Sequence, residues 1–98
     1  MRFERGPGGE GRLLVSAAPQ IGIEVRQEAR KLFVHFLDAG VDEERRLDVL
    51  DFATPVETIE ARNRGGEAVL VVQTVVPFEY SARQSDGAFV LTVAPAGR

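Results

Sequence analysis

The chain has no cysteine among its 98 residues. That excludes a disulfide scaffold, a thiolate metal site and a cysteine nucleophile. It does not fix the compartment. Histidine occurs once, at His35, so a zinc site would have to rest almost wholly on carboxylates. No apolar run approaches the ~18–20 residues that a membrane-spanning helix needs. A basic excess is also missing, with 12 Lys+Arg against 15 Asp+Glu and a formal net charge of −3. That balance argues against a general nucleic-acid binder and against a polybasic patch for membrane surfaces. Met1 leads directly into Arg2-Phe3-Glu4-Arg5 with no apolar stretch. The expectation is therefore no signal peptide here, and either a cytoplasmic protein or a domain of a longer exported chain.

What is present is ordinary for a globular domain: 44% hydrophobic and 28% charged residues. This length supports one domain, which buries roughly 60–65% of its extended surface. That domain is expected over residues 1–95, with Ala96-Gly97-Arg98 as a frayed end.

Period-two alternation dominates. Ile21 to Arg26 and Phe78 to Arg83 alternate apolar and polar residues, as half-buried strands do. Lys31–Leu37 and Val69–Val76 are apolar on both faces and read as central strands, and Ala88–Val93 is a further strand-like run. Gly6-Pro7-Gly8-Gly9-Glu10-Gly11 reads as a hairpin loop, Asn63-Arg64-Gly65-Gly66 and Ser85-Asp86-Gly87 as turns, and Gln27-Glu28-Ala29-Arg30 as a weaker turn. Pro77 marks a strand start or an edge. Val41 to Leu50, with five charges in a row, predicts a helical turn or a loop crossing between sheets. Strands at this spacing point to an antiparallel sandwich or barrel.

No group of residues demands catalysis. His35 sits between Val34 and Phe36 in the most apolar run and reads as a packing or rim residue. Asp48 and Asp51, with Asp38, Asp42, Glu43 and Glu44 upstream, could supply an acid–base pair, but a domain this small has little room for the cleft. Loop capping is the simpler role. The glycine-rich stretch lacks the helix that would make it a phosphate loop. Arg2, Arg5, Arg12, Arg26, Arg30 and Lys31 crowd the first third of the chain. They are a solvated face, or a patch for an anionic partner such as peptide-stem carboxylates. Tyr80 and Gln84 offer a saccharide contact, an aromatic face and an amide. Tyr80 is nevertheless in phase with Phe78, which predicts burial. From residues alone the chain is a non-enzymatic all-β domain, a small antiparallel sandwich of two sheets, with a binding role and no cofactor.

One segment is distinctive. The run Leu47-Asp48-Val49-Leu50-Asp51-Phe52-Ala53-Thr54-Pro55-Val56 closely resembles a segment of the AMIN domains found in type IV pilus secretins of the outer membrane. The opening RFERGPGGEGRLLV is similar to that family's F-R-R-G…G-E-G-R hairpin. FEYSARQSDGAFVLTV is similar to its Y-E-Y-S-A-Y-Q-S/T-D ending, with Arg83 at a position where an aromatic residue is common. Leu50 replaces a common Thr, and His35 a frequent Asp. The resemblance implies a two-sheet β-sandwich in a periplasmic cell-envelope machine, peptidoglycan and other secretin domains or pilus-machine proteins as partners, and no membrane insertion of this domain. Its role would be to anchor the machine. The alternative is an assembly module that pairs through strand edges. Arg26, Arg30, Lys31, Tyr80 and Gln84 are the expected contacts. In the signature segment, Pro55 biases Thr54 towards an extended conformation. Phe52 and Val56 are then expected to turn inward and staple the segment to the core, leaving Asp51 to bond loop amides.

Overall fold

The computed structural model describes residues 1–16, 21–37, 44–85 and 87–96. Two antiparallel sheets face each other. The first sheet contains β1 (Arg2–Arg5), β2 (Gly11–Ser16), β8 (Phe78–Ser85) and β9 (Ala88–Pro95), in the order β1-β2-β9-β8. The second contains β3 (Ile23–Glu28), β4 (Lys31–Phe36), β5 (Arg45–Asp48), β6 (Val56–Arg64) and β7 (Glu67–Thr74), in the order β3-β4-β7-β6-β5. Of the sandwich and the barrel that the strand spacing allowed, the sandwich is the observed architecture.

Alternation decides which side chains meet between the sheets. Leu32, Val34 and Phe36 of β4 lie beside Val72, Leu70 and Ala68 of β7, and these lead on to Ile59 and Ala61 of β6. Opposite them stand Leu13 of β2 with Phe89, Leu91 and Val93 of β9. All of these are buried. Phe36 and Phe89 cross edge to face at 5.5 Å and join the two layers. The central-strand reading of the two apolar runs holds for β4 and β7, which neighbour each other in mid-sheet.

Turn chemistry is placed as the glycines dictate. Gly65 and Gly66 both take positive φ, 56° and 84°, and close the β6–β7 hairpin between Arg64 and Glu67. In the β1–β2 hairpin, the Gly6 amide donates to the Glu10 carbonyl at 2.7 Å and the Gly9 amide to Gly6 at 3.1 Å. The Glu10 carboxylate lies over Gly6, accepting from the Gly8 amide at 2.8 Å and from Arg12 at 3.0 Å. Its pKa is held below the ordinary 4.5, chiefly by its own backbone amide, then by Gly8 and Arg12, against an opposing desolvation. The weaker turn sits at Ala29–Arg30 with Ala29 at φ 54°, and β8 begins immediately after Pro77. Asp86 of the third turn and Gly97-Arg98 of the C-terminal end lie outside the described residues.

The charged segment corrects one expectation. Its residues 41–43 lie outside the described residues, but Arg45–Asp48 is an edge strand rather than a helical turn or a crossing loop. Arg46 pairs across to Glu60, and Leu47 sits on the core face opposite Ile59. Alternation therefore persists through the charges, and the neighbour β6 supplies an opposite charge where one is needed.

Candidate functional site

The signature segment folds as a 3-10 turn, Leu50–Phe52, followed by Ala53 in the left-handed region at φ 61°. The turn is held by backbone. The Val49 amide donates to the Glu57 carbonyl at 2.9 Å, that of Phe52 to Val49 at 3.0 Å and that of Ala53 to Leu50 at 3.2 Å. The Thr54 hydroxyl accepts from the Val56 amide at 3.2 Å. Val49, Thr54, Pro55 and Val56 are buried as a result. Gly11 of β2 leaves the space in which the Phe3 ring and the Thr54 hydroxyl meet it, since a Cβ there would lie 2.7 Å and 3.0 Å from them. The segment thereby closes the flank of the sandwich beside β1.

Phe52 does not turn inward. The left-handed residue after it reverses the chain so that Val56 enters the core, while Phe52 stays 43% exposed. Its ring stands edge-on to Phe3 at 5.2 Å. Leu50 beside it is 51% exposed. Among the described residues Asp51 bonds no loop amide, and Thr54 does the capping instead. Asp48 is bridged to Arg46 at 3.5 Å on the exposed face. Asp38, Asp42 and Glu43 lie outside the described residues, and Glu44 accepts from the Asn63 amide at 3.0 Å. His35 is a rim residue on the outer face of the second sheet, its Nδ1 3.1 Å from Glu67.

The basic residues of the first third do not form one patch. Arg2 and Arg12 lie on the outer face of the first sheet and are bridged to Glu4 and Glu10. Arg26 and Lys31 lie on the outer face of the second sheet, where Arg26 is bridged to Glu28 at 3.6 Å. The shallow depression lined by Glu44, Arg45, Arg46, Glu60, Ala61 and Arg62 is largely self-neutralised, because Glu60 binds both Arg46 and Arg62.

Arg30, Tyr80 and Gln84 are instead spread along the flank whose edge strands are β3 and β8. Gln84 donates to the Ile21 carbonyl at 3.2 Å, fastening the end of β8 to the approach to β3. At the other end Arg30 accepts from the amide and hydroxyl of Thr74, at 2.8 and 2.9 Å, and donates to the Val75 carbonyl at 3.1 Å. Tyr80 lies between these two ties. It shares the core-side face of β8 with Phe78, yet it is 37% exposed whereas Phe78 is buried. The predicted burial of Tyr80 is thus corrected. Along that face the side chains run Phe78, Tyr80, Ala82, Gln84, and exposure begins at Tyr80 because β8 is an edge. The same falling apolarity marks β3, where half-buried Ile23 and Val25 give way to exposed Gln27. Gln27 and Ala82 were not anticipated as lining residues. The decline in apolarity along each strand was the available signal.

A signature turn sealing one flank, with a hairpin of glycines over the first sheet, is matched by a family model. The match to the AMIN domain runs over residues 1–96. The chain belongs to the AMIN domain family. It is also similar to a fimbrial assembly protein, PilQ of Pseudomonas aeruginosa, with 25% identity over 96 residues. That alignment covers 95% of this AMIN domain and 13% of the relative, so the chain spans only a small part of that protein's length.

Proposed function

We propose that this AMIN domain is a non-catalytic, periplasmic part of a type IV pilus secretin and that it anchors the pilus machine to peptidoglycan. The β3–β8 flank is the contact surface. The observation that carries this reading is Tyr80, an aromatic ring left exposed on a core-side position between Arg30 and Gln84. An exposed ring stacks on a sugar face, and an amide reads hydroxyls. Arg30 spends one donor on Val75, which leaves its planar fork for a stem-peptide carboxylate. Likeness to a fimbrial assembly protein and membership of the AMIN family support the setting. A domain with a net charge of −3 gains little from nucleic acid, and no helix among the described residues is long and apolar enough to cross a membrane. Binding by one domain is weak, and many copies in one assembly raise avidity without new contacts.

The test is co-sedimentation with insoluble peptidoglycan sacculi, against an unrelated acidic β-sandwich. The domain, or a multimerised form of it, is expected in the pellet, less so as salt rises. Tyr80→Ala and Arg30→Ala are each expected to lower the pelleted fraction, while Arg26→Ala and Lys31→Ala leave it nearly unchanged. Recovery of both forms in the supernatant overturns the anchoring role. Pelleting that ignores Tyr80 and Arg30 moves the contact off this flank.

A further inference from the structure

Among the described residues four strands stand at sheet edges, and β8 is the longest of them, with eight residues against four in β1, six in β3 and four in β5. An edge exposes backbone donors and acceptors that a further strand can use, and short or charged edges discourage it. The register shows which groups β8 leaves free. The Ala96 amide donates to the Pro77 carbonyl at 3.1 Å, so that pair is hydrogen-bonded. Alternation then makes Glu79–Ala94, Ser81–Thr92 and Arg83–Val90 the bonded pairs. The amides and carbonyls of Tyr80 and Ala82 therefore point away from β9. Among the described residues nothing accepts from or donates to them.

The side chains of β8 add a charge pattern. Glu79, Ser81 and Arg83 share its outer face, all exposed. Among the described residues neither Glu79 nor Arg83 has an ion-pair partner, whereas Arg2, Glu4, Glu10 and Arg12 at the other side of the first sheet do. The two charges are placed symmetrically about Ser81.

We infer that β8 pairs antiparallel with β8 of a second copy of this chain, about a two-fold axis at Ser81. In that register the free groups of Tyr80 meet those of Ala82 of the second copy, and the reverse. Glu79 faces Arg83 of the second copy twice over, and the two Ser81 hydroxyls meet on the axis. The two four-stranded sheets become one continuous sheet. The register is specified by charge. Only even offsets bring free amides to free carbonyls. A slip of two residues sets Glu79 or Arg83 against Ser81, and a slip of four sets like charge on like charge, which repels. Edge β3 lacks this uniqueness. Its Glu24, Arg26 and Glu28 leave a net negative charge, and Arg26 is already bridged to Glu28. The interface is isologous and closes at a dimer. It does not rest on the peptidoglycan reading, and because both use the β8 edge of the same flank, this dimer and a bound glycan compete for it.

The experiment is analytical ultracentrifugation of the 98-residue chain from about 10 μM to about 1 mM, without glycan. A monomer–dimer equilibrium that weakens with added salt is expected. Glu79→Arg and Arg83→Glu each set like charges opposite one another and are expected to weaken the dimer by about tenfold or more. The double exchange, Glu79→Arg with Arg83→Glu, restores the attraction and is expected to dimerise as the parent does. An equimolar mixture of the two single variants restores it as well, by forming a heterodimer. In the dimer the Tyr80 and Ala82 amides gain protection from hydrogen exchange. Circular dichroism confirms that these exposed substitutions leave the fold intact. A chain that stays monomeric at about 1 mM overturns the inference, as does a dimer indifferent to all three variants.

Discussion

At the scale of single residues, Phe52 separates the core from the flank. Half-exposed and supported by one aromatic neighbour, it is expected to lose only about 1–2 kcal/mol on truncation to alanine. Phe89→Ala, at a fully buried ring, is expected to cost about 3–5 kcal/mol in the same urea titration. Loss of the Thr54 hydroxyl in Thr54→Val leaves the buried Val56 amide without its acceptor and is expected to cost about 1–2 kcal/mol. Glu10 gives the domain an acid-sensitive contact. Its folded pKa is below the ordinary 4.5, so its contribution is complete above that value and is lost as pH falls through the folded one. The difference in urea midpoint between the parent and Glu10→Gln is therefore expected to shrink on acidification from about pH 6 to about pH 3. Such assignments were only partly legible in the sequence. Val56 was, because Pro55 biases Thr54 towards an extended conformation that leads the chain inward. Phe52 was not, because its direction depends on Ala53 adopting a left-handed conformation that alanine rarely takes.

At the scale of elements, hairpins and central strands were legible because local chemistry sets them. Gly65-Gly66 closes a turn in which both residues take positive φ, and replacing both with alanine is expected to cost about 2 kcal/mol or more in thermal or urea unfolding. Strand β5 was not legible. A run of charges resembles a loop until Glu60 is known to stand opposite Arg46. Tyr80 failed for the same kind of reason. Period two gives the face of a strand but not its place in the sheet, and only an edge leaves a core-side ring exposed. Gly11 links two elements that sequence alone does not bring together, β2 and the signature turn. Gly11→Ala is expected to destabilise the domain by about 1–3 kcal/mol, because Phe3 and Thr54 must move aside.

At the scale of the whole molecule, the two flanks differ. One is sealed by the signature turn over Phe3 and Gly11. The other is tied at its ends by Gln84 and by Arg30, and carries the exposed residues of β8 between. The order of the first sheet also bears on how the domain responds to load. Strand β1 is antiparallel to β2, and β2 to β9, so β1 and β9 run the same way. Arg2 lies level with Val90, through Leu14, while Pro95 ends β9 several residues further along. The chain thus enters near one end of this sheet and leaves at the other. A pull between those two points runs parallel to the strands. It loads the hydrogen bonds between β1, β2 and β9 in shear, together, instead of opening them one at a time like a zip. With only four residues in its ladder, β1 is the first strand such a force would slide free. A domain wired this way transmits tension along its strands.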